Sequence, residues 1–286
     1  MTKLILTYIF VTLTYFFIMT PTFAQSSKLP SVFLEELTWT EVQEALDKGI
    51  KTIIIPTGGT EQNGPHMVLG KHNFRVKFLA EKIANQLGDA LVAPTLSYVP
   101  EGEINDPNSH MAFAGTIHLP EEYFIKVLEY AARSFKKHGF TDIVLVGDSG
   151  PNQNGMKVIS EQLNQEWQAS NTRVHFISKF ILSSQSPENR PLIDSLIKKG
   201  IPQEAFGMNK DKLHADIYDA SLLLAVNPNL VRIDKMKKLG NDPEENRKLG
   251  ISGDPRKASA KIGKKFIKIR IQTSVNQILT LKKENR

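Results

Sequence analysis

Three short segments of this sequence concentrate the side chains that bind metal ions or move protons. They span Gly59 to Asn73, Gly147 to Gln153 and Leu213 to Ser221. Their carboxylates and imidazoles are Glu61, His66, His72, Asp148, His214, Asp216 and Asp219. The chain contains no cysteine, which excludes thiolate nucleophiles, iron–sulfur clusters and cysteine-based zinc sites. Any metal ion would therefore be held by nitrogen and oxygen atoms.

The first two segments each follow an apolar stretch that is typical of a buried strand, Lys51 to Ile55 and Asp142 to Val146. Helical apolar spacing alternates with further strand patterns along the chain. Helices are predicted over Thr38 to Gly49, Phe74 to Leu87, Glu121 to His138 and Gly155 to Gln168, and strands over Ala90 to Pro94 and Arg173 to Ile177. This alternation predicts an α/β fold, a single-domain three-layer α/β/α architecture with a central, mainly parallel sheet. Because reactive residues gather at the carboxyl ends of such strands, we expect the three segments to converge.

Residues 1–24 have the pattern of a secretory signal peptide. Lys3 precedes an apolar stretch from Leu4 to Met19, and small residues surround a cleavage position after Ala24. The alternative is an uncleaved membrane anchor, but the apolar stretch is shorter than the about 20 residues that a bilayer span needs. We therefore expect a periplasmic or secreted domain comprising residues 25–286, with no membrane association after cleavage.

The formal net charge of the 286-residue chain is +6, and much of the positive charge lies in residues 235–286. Lys257 to Leu281 also carries apolar residues at helical intervals, which predicts a basic C-terminal helical segment. We interpret its charges as a solvated outer face rather than a nucleic-acid surface. A protein that binds anionic surfaces through this segment is one function class that the composition leaves open.

The three segments, together with residues 109–117, resemble the creatininase (creatinine amidohydrolase) family. The resemblance covers roughly residues 37–227 in the family's order, and Gly253-Asp254-Pro255 resembles a later family segment. It implies an α/β fold, a site for one or two divalent ions such as zinc or manganese, and hydrolysis of a C–N bond in a cyclic or small linear amide. It also implies a homo-oligomer, often a hexamer.

The chain departs from the family pattern at several ligand positions. Asn63 and Ser149 stand where the family has histidine ligands, His72 replaces a carboxylate, and Asp219 replaces a glutamate. The remaining donors predict a mixed nitrogen and oxygen ligand set made of Glu61, His72, Asp148 and Asp219. Such a set suits zinc or manganese. One ion is favoured over two because a neutral asparagine is a weak ligand.

The resemblance assigns a proton-transfer role to His214, because the matching family histidine has that role, while Glu61 would position the attacking water. Five further residues are expected around the substrate: Asn63, His66, His110, Asn152 and Gln153. Structural alternatives remain open for several positions. His66 could simply bond backbone groups, Asp148 could cap the next helix, and Asp219 could complement a helix dipole.

The sequence therefore predicts a secreted or periplasmic metal-dependent amidohydrolase that uses metal-activated water. The main alternative is a family member that binds a small molecule without turnover. No phosphate-binding loop, dinucleotide fingerprint or serine nucleophile motif is present in the sequence. The predicted partners are a small-molecule amide and further copies of the chain, without nucleic acid.

Overall fold

A computed structural model describes residues 29–106, 110–207 and 214–284. The predicted signal peptide lies outside the described residues. The central feature of the described part is a four-stranded parallel sheet in the order β2-β1-β3-β4. Its strands are β1 (Thr52–Thr57), β2 (Ala90–Val92), β3 (Asp142–Gly147) and β4 (Arg173–Phe176).

Helices precede the first strand, connect strands of the sheet and follow the last strand. They are α1 (Trp39–Asp47), α2 (Lys71–Leu87), α3 (Glu121–His138), α4 (Asn152–Glu166), α5 (Arg190–Lys198), α6 (Ile217–Val226), α7 (Ile233–Lys237), α8 (Pro243–Lys248) and α9 (Ala260–Glu284). Helix α1 begins with a capping box, in which Thr38 and Glu41 satisfy each other's backbone N–H groups.

The sheet is covered on both faces. Ile54, Val144 and Val146 point to one side, where they pack in a common core with side chains from α2, α6 and α9. Ile53 and Leu145 point to the other side and pack in a second core with α1, α3 and α4. The predicted single-domain α/β/α architecture is therefore confirmed, and both faces are apolar because helices exclude water from each of them.

Several element boundaries differ from the prediction, and two of them affect the site. Helix α2 begins at Lys71 rather than Phe74, so Lys71, His72 and Arg75 share its first turns. Helix α4 begins at Asn152 and is preceded by Pro151, which rules out the alternative that Asp148 caps this helix. Strand β1 continues through Pro56, whose carbonyl accepts a hydrogen bond from Leu96 N at 2.9 Å.

The basic C-terminal helix α9 is not only a solvated face. Lys264 and Lys268 are exposed, but Arg270 and Lys282 are 1% and 7% exposed. Lys282 Nζ lies 2.6 Å from Asp89 Oδ2 and ties the helix to the amino end of the sheet. Two cations of the basic segment are therefore internal. Within the described part of the chain, no helix combines the length and apolar character needed to cross a membrane.

Candidate active site

A cavity of about 1110 Å³ lies at the carboxyl edge of the sheet. The loop after β1 contributes Glu61, the end of β3 contributes Asp148, and the segment before α6 contributes His214. The four residues predicted as metal ligands, Glu61, His72, Asp148 and Asp219, all line this cavity. Residues from all three sequence segments therefore line one cavity, as expected.

Glu61 is the centre of the cavity floor and is 2% exposed. His72 Nε2 lies 2.6 Å and His214 Nε2 lies 2.5 Å from its Oε1 atom, and His110 Nε2 lies 3.4 Å from its Oε2 atom. Burial by itself would raise the pKa of Glu61, but the neighbouring His214 and His72 hold that pKa well below 4.5. Glu61 is therefore a carboxylate at neutral pH.

Asp148 is an anion that is fully enclosed by positive and hydrogen-bonding groups. Arg75 Nε is 2.7 Å from Oδ2, Arg270 Nη2 is 2.6 Å from Oδ1, and His72 Nδ1 is 2.7 Å from Oδ2. Burial opposes ionisation, but Arg75 and Arg270 hold the pKa of Asp148 far below its usual range. With its oxygens engaged in this way, Asp148 orients the His72 ring rather than offering a free ligand atom.

Asp219 is engaged in the same way by a second set of donors. Arg75 Nη1 is 2.6 Å from Oδ1, and the backbone N–H of Ala215 donates to Oδ2 at 3.1 Å. Ala215 has a left-handed backbone with φ of 72°, a conformation that costs roughly 1–2 kcal/mol for a residue other than glycine. The Asp219 bond therefore supports a strained turn that directs His214 towards Glu61.

Asp216 caps α6 by accepting a hydrogen bond from Asp219 N at 2.9 Å. Burial, and then the charge of Asp219, raise the pKa of Asp216 to about 8. Adjacent buried carboxyl groups therefore have opposite protonation at neutral pH, because among the described residues Asp219 has cationic partners within ion-pair distance and Asp216 has none.

One group of the described residues could hold a metal ion. Glu61, His110 and His214 place one ligand atom each within 4.8 Å of one another. A carboxylate with two imidazoles suits zinc or manganese by donor type. His72, Asp148 and Asp219 lie outside this group, and the guanidinium groups of Arg75 and Arg270 pair with both aspartates. The donor set thus fits one ion and does not favour a second.

The predicted substrate contacts are only partly placed in the cavity. His110 lines it, but Asn63, His66, Asn152 and Gln153 do not. The three amide side chains instead hold the loops, donating to carbonyls of Glu61, Gly58 and Ser149 respectively. Their position does not support substrate contact.

His66 is completely buried, and within the described part of the chain neither ring nitrogen has a hydrogen-bond partner, so its ring does not make there the backbone bond considered as an alternative. Burial lowers the pKa of His66 to about 4. The His66 ring is therefore uncharged at neutral pH and is packed inside the protein, away from the cavity lining.

Sequence reasoning missed four ionisable residues of the site: Lys71, Arg75, Glu101 and Arg270. Lys71 and Arg75 had a usable signal, because Arg75 lies four residues after Lys71 and three after His72, spacings that share a helix face. Arg270 had none, since it comes from a distant helix. Glu101 is 1% exposed and accepts a hydrogen bond from Ser149 Oγ at 2.9 Å. Burial, reinforced by the charge of Glu61, raises the pKa of Glu101 to about 10.

Comparison with known proteins gives a consistent family match. The family model described as creatinine amidohydrolase matches residues 35–278. The creatinine amidohydrolase of Pseudomonas putida is 25% identical over 206 residues, which cover 72% of this chain and 76% of that protein. The family match spans most of the chain and includes all three site segments.

Solved structures share the fold. A creatininase structure described as a manganese form has a TM-score of 0.67 at 23% identity, and a mutant creatininase described as a Zn–Zn type has a TM-score of 0.65 at 24% identity. Each match covers 87% of this chain and 97% of the other. At this level of identity the likeness establishes the α/β fold.

Proposed function

The chain belongs to the creatininase family of hydrolases, and from this premise we propose that it cleaves the C–N bond of a small cyclic or linear amide. The observation that carries the proposal is the convergence of Glu61, His110 and His214 on the floor of a cavity large enough for such a substrate. One zinc or manganese ion held by these three residues would supply Lewis-acid polarisation of the carbonyl and a water of lowered pKa.

His214 is the residue best placed to move a proton. Its Nε2 atom contacts Glu61, and its side chain is 23% exposed towards the cavity. Burial, and then the nearby Lys71, lower the pKa of His214, so the ring is neutral at pH 7. In an arrangement where the ion is held by Glu61 and His110 alone, the neutral ring of His214 can take a proton from the attacking water and deliver it to the departing nitrogen as the C–N bond breaks. Glu61 accepts hydrogen bonds and orients the water.

Glu101 adds a second proton donor to the cavity wall. Its raised pKa keeps it protonated at neutral pH, and its Oε1 atom has no hydrogen-bond partner among the described residues. A protonated carboxyl beside an ionised one is a common arrangement in acid–base catalysis. We assign Glu101 to donate a hydrogen bond to the polar group of the substrate that faces this wall.

The proposal is tested with chelator-treated protein supplied with Mn²⁺ or Zn²⁺ and a panel of small amides that includes creatinine, formamides and lactams. Products are quantified by NMR. Ion-dependent turnover is expected, and Glu61→Gln and His214→Asn should each lower kcat by about 100-fold or more. The exposed His138→Asn is the matched control and should leave kcat unchanged. Turnover that survives both site substitutions would contradict the assignment.

A second candidate is a family member that binds a small molecule without turnover. It is favoured by Asn63 and Ser149, which replace family ligands, and by the arginine pairs of Asp148 and Asp219. In the same amide panel, saturable binding by calorimetry without product under either ion would support this candidate. Such a result would replace the hydrolytic proposal.

We also propose that the chain is exported and assembles with copies of itself. The first proposal is supported by the pattern of residues 1–24, and the second by the resemblance to the family. Fractionation of producing cells should recover the protein outside the cytoplasm with Gln25 as its first residue. Light scattering during size exclusion should give a multiple of the chain mass. An intact amino terminus in the cytoplasm, or a monomer, would contradict the respective proposal.

A further inference from the structure

A buried ammonium group lies beside the cluster that could hold the ion. Lys71 is 1% exposed, and its Nζ atom lies 3.7 Å from Glu61 Oε1, 3.6 Å from Asp219 Oδ1 and 3.3 Å from His214 Nδ1. Burying an ammonium is costly unless anions and hydrogen-bond acceptors surround it. In this site the fixed cations Lys71, Arg75 and Arg270 face the carboxylates Glu61, Asp148 and Asp219. The fixed charges of these six residues therefore balance without an ion.

Lys71 also decides which nitrogen of His214 carries the ring proton. An ammonium group can only donate hydrogen bonds, so the Nδ1 atom that faces it must accept. The proton of the neutral ring then resides on Nε2, which donates to Glu61 at 2.5 Å. A metal ligand needs an unprotonated nitrogen. Lys71 therefore holds His214 in the tautomer that does not bind an ion through Nε2.

Gln62 has the same effect on His110. Its amide orientation is determined by the backbone, because Oε1 accepts from Gly64 N at 2.9 Å and Nε2 donates to Gly250 O at 3.2 Å. The Nε2 amino group of Gln62 also faces His110 Nδ1 at 3.1 Å. His110 therefore carries its proton on Nε2, the nitrogen directed at Glu61. In both histidines of the candidate ion site, Nδ1 thus accepts a hydrogen bond, from Lys71 in His214 and from Gln62 in His110.

We propose that Lys71 is the resident cation of this site and that Lys71 and Gln62 together keep its affinity for divalent ions low. The site is then fully assembled as a hydrogen-bonded network before any ion enters. Entry of an ion requires each ring to transfer its proton from Nε2 to Nδ1 and must overcome repulsion by the ammonium. This inference rests on the proposed function only in taking Glu61, His110 and His214 as the ion ligands.

The test measures ion binding without substrate. Chelator-treated wild type, Lys71→Met and Lys77→Met are titrated with Zn²⁺ and Mn²⁺ by calorimetry. Lys77 is the matched control, because it lies on the same helix but is only half-buried and pairs with Glu35. Removing the neighbouring ammonium should tighten binding by roughly tenfold or more, and Lys77→Met should match the wild type. Equal affinity in wild type and Lys71→Met would overturn the proposal.

Two further measurements cover the case in which Lys71→Met does not fold. Gln62→Glu supplies an acceptor for a proton on His110 Nδ1 and should also tighten ion binding. In ion-free wild type, correlation spectra of the ¹⁵N-labelled histidine rings should place the protons of His110 and His214 on Nε2. Protons on Nδ1 would overturn the inference. Absence of amide turnover with these ring protons on Nε2 would reject the proposed function alone.

Discussion

Replacing Arg270 by methionine tests whether the C-terminal helix supports the active site. Arg270 reaches from α9 to Asp148, with 2.6 Å between Nη2 and Oδ1, and its Nε atom donates to Phe180 O at 3.0 Å. The two charged side chains are 1% and 0% exposed. The substitution keeps an apolar stem of similar length but removes the guanidinium, so that Asp148 retains, among the described residues, Arg75 and His72 as side-chain partners.

The expected loss of stability follows from this burial. Removing one partner of a buried ion pair costs about 3–5 kcal/mol, because the other charge is left buried. The remaining Arg75 pair places the expected value near the lower end, and the Phe180 carbonyl adds about 1 kcal/mol for its lost donor. We therefore expect the free energy of unfolding to fall by about 3–4 kcal/mol, and Tm by roughly 6–16 °C for a domain of this size.

Urea unfolding followed by circular dichroism at pH 7 measures the effect. Lys268→Met, two residues away on the exposed side of α9, is the control and should change stability by about 0.5 kcal/mol or less. In the double variant with Asp148→Asn, the loss should be smaller than the sum of the two single losses, because the stranded charge is removed. A loss below about 1 kcal/mol for Arg270→Met would refute the inferred buried pairing.

Three further predictions concern buried polar groups elsewhere. Asp216 has a raised pKa of about 8, so the folded state holds a proton that the unfolded state releases, and wild-type stability should fall as pH rises from about 4 to 8. Asp216→Asn keeps the cap acceptor and should gain relative to wild type by up to about 1.4 kcal/mol per pH unit across this window; identical urea profiles at pH 5 and pH 8 would contradict this. Burial lowers the pKa of His66 from 6.5 to about 4, so as pH falls the unfolded chain takes up a proton on this ring at a higher pH than the folded protein does. Wild-type stability should therefore decrease as pH falls from 6.5 to about 4. His66→Leu should not share that loss, and unfolding midpoints at pH 4.5 and 7.5 compare the two proteins. Lys282→Met breaks the contacts of Lys282 with Asp89 and Thr52 and should lower stability by about 1–3 kcal/mol, against no change for the exposed Lys283→Met in the same thermal melts.

The elements and the location of the site could be predicted because each depends on local pattern. Apolar stretches at Lys51 to Ile55 and Asp142 to Val146 became paired parallel strands, and the polar segments after them meet at one edge, as parallel pairing requires. Glu61 and Asp148 were identified in this way, and both line the cavity. The boundaries were less certain, since α2 begins three residues before the apolar spacing does.

The charge state of the site could not be predicted, because it depends on contacts between distant residues. Asp148 looked like a ligand until Arg270, from a helix 122 positions later, was seen to neutralise it. The tautomer of His110 depends on Gln62, whose own orientation is set by the carbonyl of Gly250. Neither the Asp148–Arg270 contact nor the Gln62–Gly250 contact leaves a periodic pattern or a short-range spacing in the sequence.

By itself, then, the sequence determined the fold class, the family resemblance and the segments that carry the chemistry. Residue types and short-range spacing are sufficient for these, since strands and helices are defined by local periodicity. Only the tertiary structure decided which carboxylates are neutralised by lysine and arginine, which ring nitrogens carry protons, and which predicted contacts lie outside the cavity. These properties depend on distances of a few ångströms between side chains that folding alone brings together.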